Sequence, residues 1–117
     1  MKENIIKNKT FEFALKTIGF YKYLVEGKKE YVLSKQFLRS GTSIGAMVRE
    51  SEQAESKPDF IHKLAIALKE ANECEYWIEL LNKSGYMDNQ LFSSFSTDIN
   101  EILRILTSII KTSKANK

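Results

Sequence analysis

Residues 60–81 read FIHKLAIALKEANECEYWIELL, and the spacing of the apolar side chains in this stretch decides the fold class. Its apolar positions recur every three or four residues, at Phe60, Leu64, Ala67, Ala71, Cys74, Ile78 and Leu81. This period places them along one face of an α-helix. Segments that begin at Phe11, Leu33 and Phe92 repeat the spacing, whereas the strict alternation of a half-buried strand is not sustained anywhere. The pattern predicts four helices and no sheet.

Short polar breaks separate these helices and give their approximate ends. Ser56 followed by Asp59 resembles a capping box, Asp88 is a suitable N-cap, and Gly85 is placed to end the third helix. Because all three connections are short, successive helices should be antiparallel neighbours. The sequence therefore predicts one all-α domain, residues 1–117, folded as an antiparallel up-down-up-down four-helix bundle. The predicted helices lie near 5–26, 31–54, 58–83 and 89–111.

Rare side chains exclude several kinds of chemistry. Cys74 is the single cysteine and His62 the single histidine, so an intrachain disulfide, a paired-cysteine zinc site and a di-iron site with two Glu-x-x-His motifs cannot form. The serine- and threonine-rich run at 40–46 has no histidine on its helix and no nucleophile elbow. We expect a protein that is not an enzyme and that has no cofactor and no metal. Cys74 is expected in the core and His62 on the surface.

The sequence also gives no sign of a membrane protein. No apolar run approaches the roughly 20 residues that span a bilayer. Residues 1–10 lack the apolar segment of a secretory signal. We therefore expect a cytoplasmic protein with no membrane partner.

Charge is distributed unevenly along the chain. Residues 1–49 hold ten basic and four acidic side chains, residues 50–103 hold four and eleven, and residues 104–117 hold four and none. One interpretation is a basic surface that attracts RNA or DNA, since aromatic rings stand among the early lysines. The other is that antiparallel helices place segments of opposite charge side by side. The lysines predicted to contact nucleic acid are Lys7, Lys9, Lys16, Lys22, Lys28 and Lys29.

The first and third helices carry more apolar residues than one buried face needs. On the first helix, the expected core stripe is Phe11, Ala14, Ile18, Tyr21 and Val25. That stripe leaves Phe13 and Phe20 outside, and Ile66 and Trp77 lie outside the stripe of the third helix. Because a soluble monomer rarely exposes a large apolar patch, we predict that these four residues lie between copies of the chain. The alternative is a wide buried face within one monomer.

The run at 40–46, SGTSIGA, is unusual for a helix interior, where glycine costs about 1 kcal/mol relative to alanine. Gly41 and Gly45 are four residues apart and therefore lie on one helix face. A pair of glycines at this spacing predicts that a neighbouring helix approaches the backbone closely.

Arg39 is predicted to belong to a buried polar network beside this run. Arg39, Ser43 and Glu50 follow one line along the second helix. A buried guanidinium needs a carboxylate partner. The candidate partners are Glu50, Glu70 and Glu75.

Two blocks of the chain resemble the 23S rRNA intervening-sequence protein family. The first is KQFLRSGTSIGA at 35–46 with Glu50 after it, and the second lies between residues 59 and 81 of the third helix. The two motifs occur in the family's order and separation, and the resemblance covers about residues 10–110. The chain departs from the family at Met47, usually asparagine, and at Ser51, usually glycine or alanine.

This resemblance implies a bundle that assembles into a ring-like homo-oligomer, typically a pentamer, and has no enzymatic activity. Relatives serve as accessory proteins to the reverse transcriptases of diversity-generating retroelements, where a basic surface is thought to hold RNA. The residues that match the family motifs are interpreted as structural or interface residues. They are Gln36, Arg39, Ser40, Ser43, Glu50, Glu70 and Glu75.

The expected function is therefore that of a non-enzymatic homo-oligomer that binds RNA or DNA through a basic surface. An alternative function is that of an oligomeric structural adaptor, which binds a protein partner without nucleic acid. The acidic third helix favours this alternative.

Overall fold

The chain forms a four-helix bundle in the computed structural model, which describes residues 2–116, with side chains from residue 5 onward. Its helices are α1 (Lys2–Lys22), α2 (Leu33–Ser51), α3 (Lys57–Lys83) and α4 (Asn89–Ala115). Each helix packs against the next, and a smaller contact between α1 and α4 closes the bundle. No strand forms within the described range, and the long dimension of the molecule is 49 Å. The predicted all-α bundle is confirmed.

The capping residues predicted for α3 and α4 occupy their expected places. The Ser56 hydroxyl accepts a hydrogen bond from the Asp59 amide at 3.2 Å. The Asp88 carboxylate accepts one from the Leu91 amide at 2.8 Å. Gly85 has a φ of +91°, in the left-handed region that glycine adopts without strain, and it follows the end of α3.

α2 is shorter than the predicted range 31–54 because capping contacts limit it at both ends. The Glu30 carboxylate accepts hydrogen bonds from the amides of Leu33 and Ser34 at 3.0 and 2.7 Å, so the helix begins after it. At the other end, the amides of residues 52–54 each bond to a carbonyl three residues earlier. This tighter pattern ends the α-helix at Ser51.

The other helices differ from their predicted ranges by smaller amounts. α1 starts earlier than residue 5 and passes into a π-helical turn, Tyr23–Gly27, where the Lys28 amide bonds to the Tyr23 carbonyl five residues back at 3.3 Å. α3 matches its predicted range within one residue. α4 continues past residue 111 to Ala115, and its last turn is preceded by the buried residues Ile109 and Ile110.

α1 turns a different face to the core from the one predicted. Phe11, placed in the predicted stripe, is 50% exposed, whereas Phe13 and Phe20 are only 2% and 7% exposed. The ring of Phe95 meets the Phe13 ring at 5.8 Å and the Phe20 ring at 5.9 Å between centroids. The prediction that Phe13 and Phe20 lie between copies of the chain is therefore wrong, because both rings fill the monomer core. The buried side of α1 and of the π-helical turn after it consists of Ile6, Thr10, Phe13, Thr17, Phe20 and Leu24.

The close helix contact predicted from the small-residue run lies between α2 and α1. An ideal Cβ atom on Gly41 would stand 2.6 Å from Cγ2 and 2.7 Å from Oγ1 of Thr17. An ideal Cβ on Gly45 would stand 3.3 Å from the carbonyl oxygen of Thr10. The absent side chains of the two glycines therefore let two threonines of α1 lie against the α2 backbone.

The predicted positions of Cys74 and His62 are confirmed. Cys74 is fully buried on α3, and burial raises the pKa of its thiol to about 12. His62 is exposed. Among the helices within residues 2–116, none is both long and apolar enough to cross a membrane.

Candidate nucleic-acid interface

Arg39 forms ion pairs with α3, but it does so at the surface. Its guanidinium donates to Glu70 at 3.0 Å and also to Glu73, and its side chain is 48% exposed. Glu70 was among the predicted partners, whereas Glu73 takes the place expected for Glu50 or Glu75. The prediction of a buried Arg39 is wrong, because the guanidinium extends along the outer edge of the α2–α3 contact.

The remaining residues of the predicted network do not converge on Arg39. Gln36 is exposed, and Glu50 pairs with Lys63 at 3.3 Å. The Ser40 hydroxyl is buried and donates to the Phe37 carbonyl, so it stabilises its own helix. The Ser43 hydroxyl likewise donates to the carbonyl of Arg39 at 2.6 Å, and Glu75 is half-buried on α3.

Glu73 is an acidic partner of Arg39 that the sequence motifs do not predict. The Trp77 indole N–H donates to its carboxylate at 3.1 Å, and this bond together with the Arg39 guanidinium lowers the pKa of Glu73. Trp77 stands four residues after Glu73, which places both side chains on one face of α3. That spacing was the available signal for the pair. The side chains of Trp77 and Ile66 are both half-buried. Their role at an interface between copies of the chain stays a prediction.

Three of the six predicted RNA-contacting lysines are engaged in ion pairs. Lys7 pairs with Glu52 at 3.2 Å, Lys9 with Glu101 at 2.8 Å and Lys16 with Asp98 at 2.7 Å. The Glu101 carboxylate raises the pKa of Lys9, and Lys9 lowers the pKa of Glu101. Acidic residues of the later chain thus lie beside basic residues of α1, as the neutralising interpretation of the charge pattern expected.

The other three lysines gather where α1 turns into α2. Lys22, Lys28 and Lys29 are exposed there, and Lys35 in the first turns of α2 is exposed as well. The acidic residues of this segment are Glu26, which is exposed, and Glu30. The turn also carries two tyrosines, of which Tyr23 is 47% and Tyr31 is 53% exposed. We call these four lysines and two tyrosines the turn surface.

The Glu30 carboxylate faces the start of α2. Burial alone would raise its pKa, but hydrogen bonds from the backbone amides of Leu33, Ser34 and Val32 outweigh that effect and lower the pKa. Its carboxylate is therefore ionised and directed at the start of α2. The partial positive charge at the start of the helix stabilises the carboxylate there.

α1 also exposes apolar residues that are not among the predicted interface residues. Ile5, Phe11 and Leu15 are each about half exposed on its outer side. The Arg49 guanidinium of α2 lies 5.2 Å from the centre of the Phe11 ring. These residues replace Phe13 and Phe20 as the apolar surface of α1.

The fold and this surface define a class of protein: a single up-and-down four-helix bundle, with a glycine-mediated α1–α2 contact and a basic, aromatic turn at one end. The chain belongs to the 23S rRNA-intervening sequence protein family, whose model matches residues 2–108.

A solved structure supports the same assignment. The chain is 56% identical to a protein of unknown function from the S23 ribosomal protein family of Bacteroides thetaiotaomicron VPI-5482, with a TM-score of 0.94. The match covers 95% of this chain and 99% of that one. No curated protein matches the chain significantly.

Proposed function

We propose that this protein is a non-enzymatic homo-oligomer that binds RNA through the turn surface. The observation that carries the proposal is the concentration of four exposed lysines and two exposed tyrosines within residues 22–35. Lysines bind phosphate groups, and exposed aromatic rings stack on unpaired bases, so this combination suits a single strand. The family's link with ribosomal RNA agrees with the proposal.

The charge balance of the turn surface supports an anionic partner. Lys7, Lys9 and Lys16 are neutralised by carboxylates, whereas Lys22 and Lys29 lie in the exposed turn where Glu30 is occupied by backbone amides. Within residues 22–35, four lysines outnumber the two carboxylates of Glu26 and Glu30, so a phosphate chain that approaches this end meets net positive charge. Such charge also accelerates association with a polyanion.

The proposed assembly is a homopentamer, in line with the family resemblance. Ile5, Phe11 and Leu15 on α1, with half-buried Ile66 and Trp77 on α3, provide the apolar surface that copies of the chain would cover. A stable contact between neighbours needs about 800 Å² from each partner. Light scattering at micromolar concentration should then give a mass near five times 13.5 kDa. A mass of one chain would refute the assembly.

RNA binding is tested by reversing two charges of the turn surface. The variant Lys28→Glu/Lys29→Glu should bind a short single-stranded RNA more weakly and with a shallower dependence on salt. For a single strand, the log–log salt slope becomes shallower by about 0.7 for each phosphate that the variant no longer neutralises. The matched control is Lys57→Glu/Lys69→Glu, which reverses two exposed lysines of α3. Wild-type protein that binds no RNA at about 50 mM salt, where phosphate contacts are strong, would refute the proposal.

The adaptor alternative gives a different result in a pull-down. If the bundle binds a protein partner directly, recovery of that partner survives nuclease treatment of the lysate. If the partner is held through RNA, nuclease releases it. The second result, with RNA binding by the purified protein, supports the proposed function.

A further inference from the structure

An aromatic pocket opens next to the turn surface, between the end of α1 and the start of α4. Its volume is about 530 Å³, within the range of small-molecule sites. Its apolar lining consists of Phe20, Tyr23, Tyr86, Leu91 and Phe95. Two lysines, Lys16 and Lys28, complete the wall together with Asp88. The pocket thus combines aromatic walls with cationic groups.

Gly19 also lines the pocket, and its missing side chain has no packing explanation. It lies inside α1, where glycine weakens a helix relative to alanine. Gly41 and Gly45 are required by a close neighbour, but an ideal Cβ atom on Gly19 would meet nothing within 4 Å. The chain therefore carries an unfavourable helix residue at an exposed position on the pocket wall.

Tyr23 brings an accessible ring to this pocket from an unusual backbone segment. It is the first residue of the π-helical turn, a geometry that is rare and often found at functional sites. Its ring lies 5.5 Å from that of Phe20, between centroids, and remains 47% exposed. The Lys28 ammonium lies 5.9 Å from the centre of the Tyr23 ring. A planar group that stacks on Tyr23 would place its own substituents within reach of Lys28.

Two of the charged side chains around the pocket are engaged in contacts within the protein, and the third is exposed to solvent. Lys16 pairs with Asp98 at 2.7 Å and lies 4.4 Å from the centre of the Phe95 ring. Asp88 is committed to the Leu91 amide as the cap of α4. Lys28 is exposed and extends over Tyr23. Lys28 is therefore the cation best placed to meet a phosphate of a ligand in the pocket.

We propose that this pocket binds one unpaired nucleotide of a single-stranded RNA, with the base stacked on Tyr23 and a phosphate on Lys28. The proposal rests on the proposed RNA binding and names the part of the RNA that is recognised. It predicts that the protein favours a single strand over a duplex, because a paired base must give up its pairing and stacking before it can enter the pocket.

The variant Gly19→Leu tests the pocket, because it adds a large side chain to the pocket wall without removing a lysine or an aromatic ring. Its matched control is Ala65→Leu, which adds the same side chain at an exposed position of α3. Affinity for a short oligouridine should fall about tenfold in Gly19→Leu, as expected for the loss of one stacked base, and stay unchanged in the control. Tyr23→Leu should give a similar loss. A blunt RNA duplex should bind wild type and Gly19→Leu equally.

Two outcomes distinguish a failure of the nucleotide pocket from a failure of RNA binding as a whole. Oligouridine that binds wild type and Gly19→Leu with equal affinity overturns the nucleotide pocket and leaves the proposed function standing. If wild type binds no RNA, the proposed function fails, and a titration with uridine monophosphate then decides the pocket. That nucleotide should shift the backbone NMR signals of Gly19 and Tyr23 in wild type, and unshifted signals would overturn the pocket as well.

Discussion

Replacing Gly41 with alanine tests the contact between α1 and α2 through a single methyl group. The new Cβ atom would lie 2.6 Å from Cγ2 of Thr17 and 3.1 Å from its Cβ. Thr17 is fully buried and β-branched, so its side chain has little freedom to turn away inside a helix. The two helices must therefore move apart or Thr17 must leave its rotamer. Overpacking of this kind costs about 1–3 kcal/mol.

The matched control is Gly19→Ala, at a helix position where the added methyl group meets nothing within 4 Å. Both substitutions gain the same helix propensity, about 1 kcal/mol, so the difference between them isolates the clash. Gly19→Ala should stabilise the protein, and Gly41→Ala should be less stable than Gly19→Ala by about 1–3 kcal/mol. The measurement is urea unfolding followed by circular dichroism at one protein concentration, because assembly would make stability depend on concentration. Equal midpoints for the two variants would refute the close α1–α2 contact.

Three further substitutions test single contacts. Glu30→Ala should destabilise the protein by about 1 kcal/mol near pH 7, as expected when a helix cap is removed. Because the folded pKa of Glu30 is lowered, its contribution is complete above the usual glutamate pKa of about 4.3 and disappears as pH falls through the folded value. Stability measured against pH should therefore fall less steeply below this value in the variant than in wild type, and parallel curves would contradict the cap. Arg39→Ala should cost only about 0–1 kcal/mol in urea unfolding, the range of exposed ion pairs, and a loss of about 3–5 kcal/mol would show a buried pair instead. Thr17→Val should stabilise by about 1 kcal/mol, because Thr17 Oγ1 has no hydrogen-bond partner among the described residues and valine preserves the shape; calorimetric unfolding at a lower temperature would argue for a hidden partner.

Features that depend only on the local sequence, such as the apolar stripe of α3 and the capping residues, were predictable. The apolar stripe of α3 has an uninterrupted period, and a short polar side chain before a helix has few roles other than capping. Ser56, Asp88 and Gly85 therefore marked the helix ends correctly. The glycine pair of α2 also indicated a close neighbour, although the sequence did not say which helix supplies it.

The face of α1 could not be chosen from periodicity, because two stripes on this helix share the same spacing. The stripe that is buried includes Thr10 and Thr17, whose hydroxyl groups make it look polar. In the fold, the Thr10 hydroxyl donates to the carbonyl of Ile6 at 2.8 Å, and both threonines lie against glycines of α2. The hydroxyl of Thr10 is satisfied by its own helix and can therefore be buried with little penalty, whereas Thr17 Oγ1 has no hydrogen-bond partner among the described residues. The sequence of α1 alone does not contain the partner helix that makes this choice.

The exposure of Arg39 was unpredictable for a related reason. Its line along α2 identifies the helix face, but the depth of a side chain depends on where α3 crosses. α3 places Glu70 and Glu73 at the edge of the contact, so the guanidinium remains half exposed while still paired. The sequence pattern therefore identified Glu70 as a partner, but it identified neither Glu73 nor the exposure of Arg39.

The single thiol of the chain, that of Cys74, offers a way to measure the free energy at which the bundle opens. Cys74 lies at the centre of α3, the helix that packs against both α2 and α4, so a reagent reaches its sulfur only after α3 separates from a neighbour. When reclosing is fast compared with alkylation, the labelling rate under native conditions gives the free energy of that opening. Agreement with the free energy of global unfolding would mean that the bundle opens as one cooperative unit. A smaller value would identify a partial opening that exposes α3 before the rest of the protein unfolds, and no engineered label is needed to measure it.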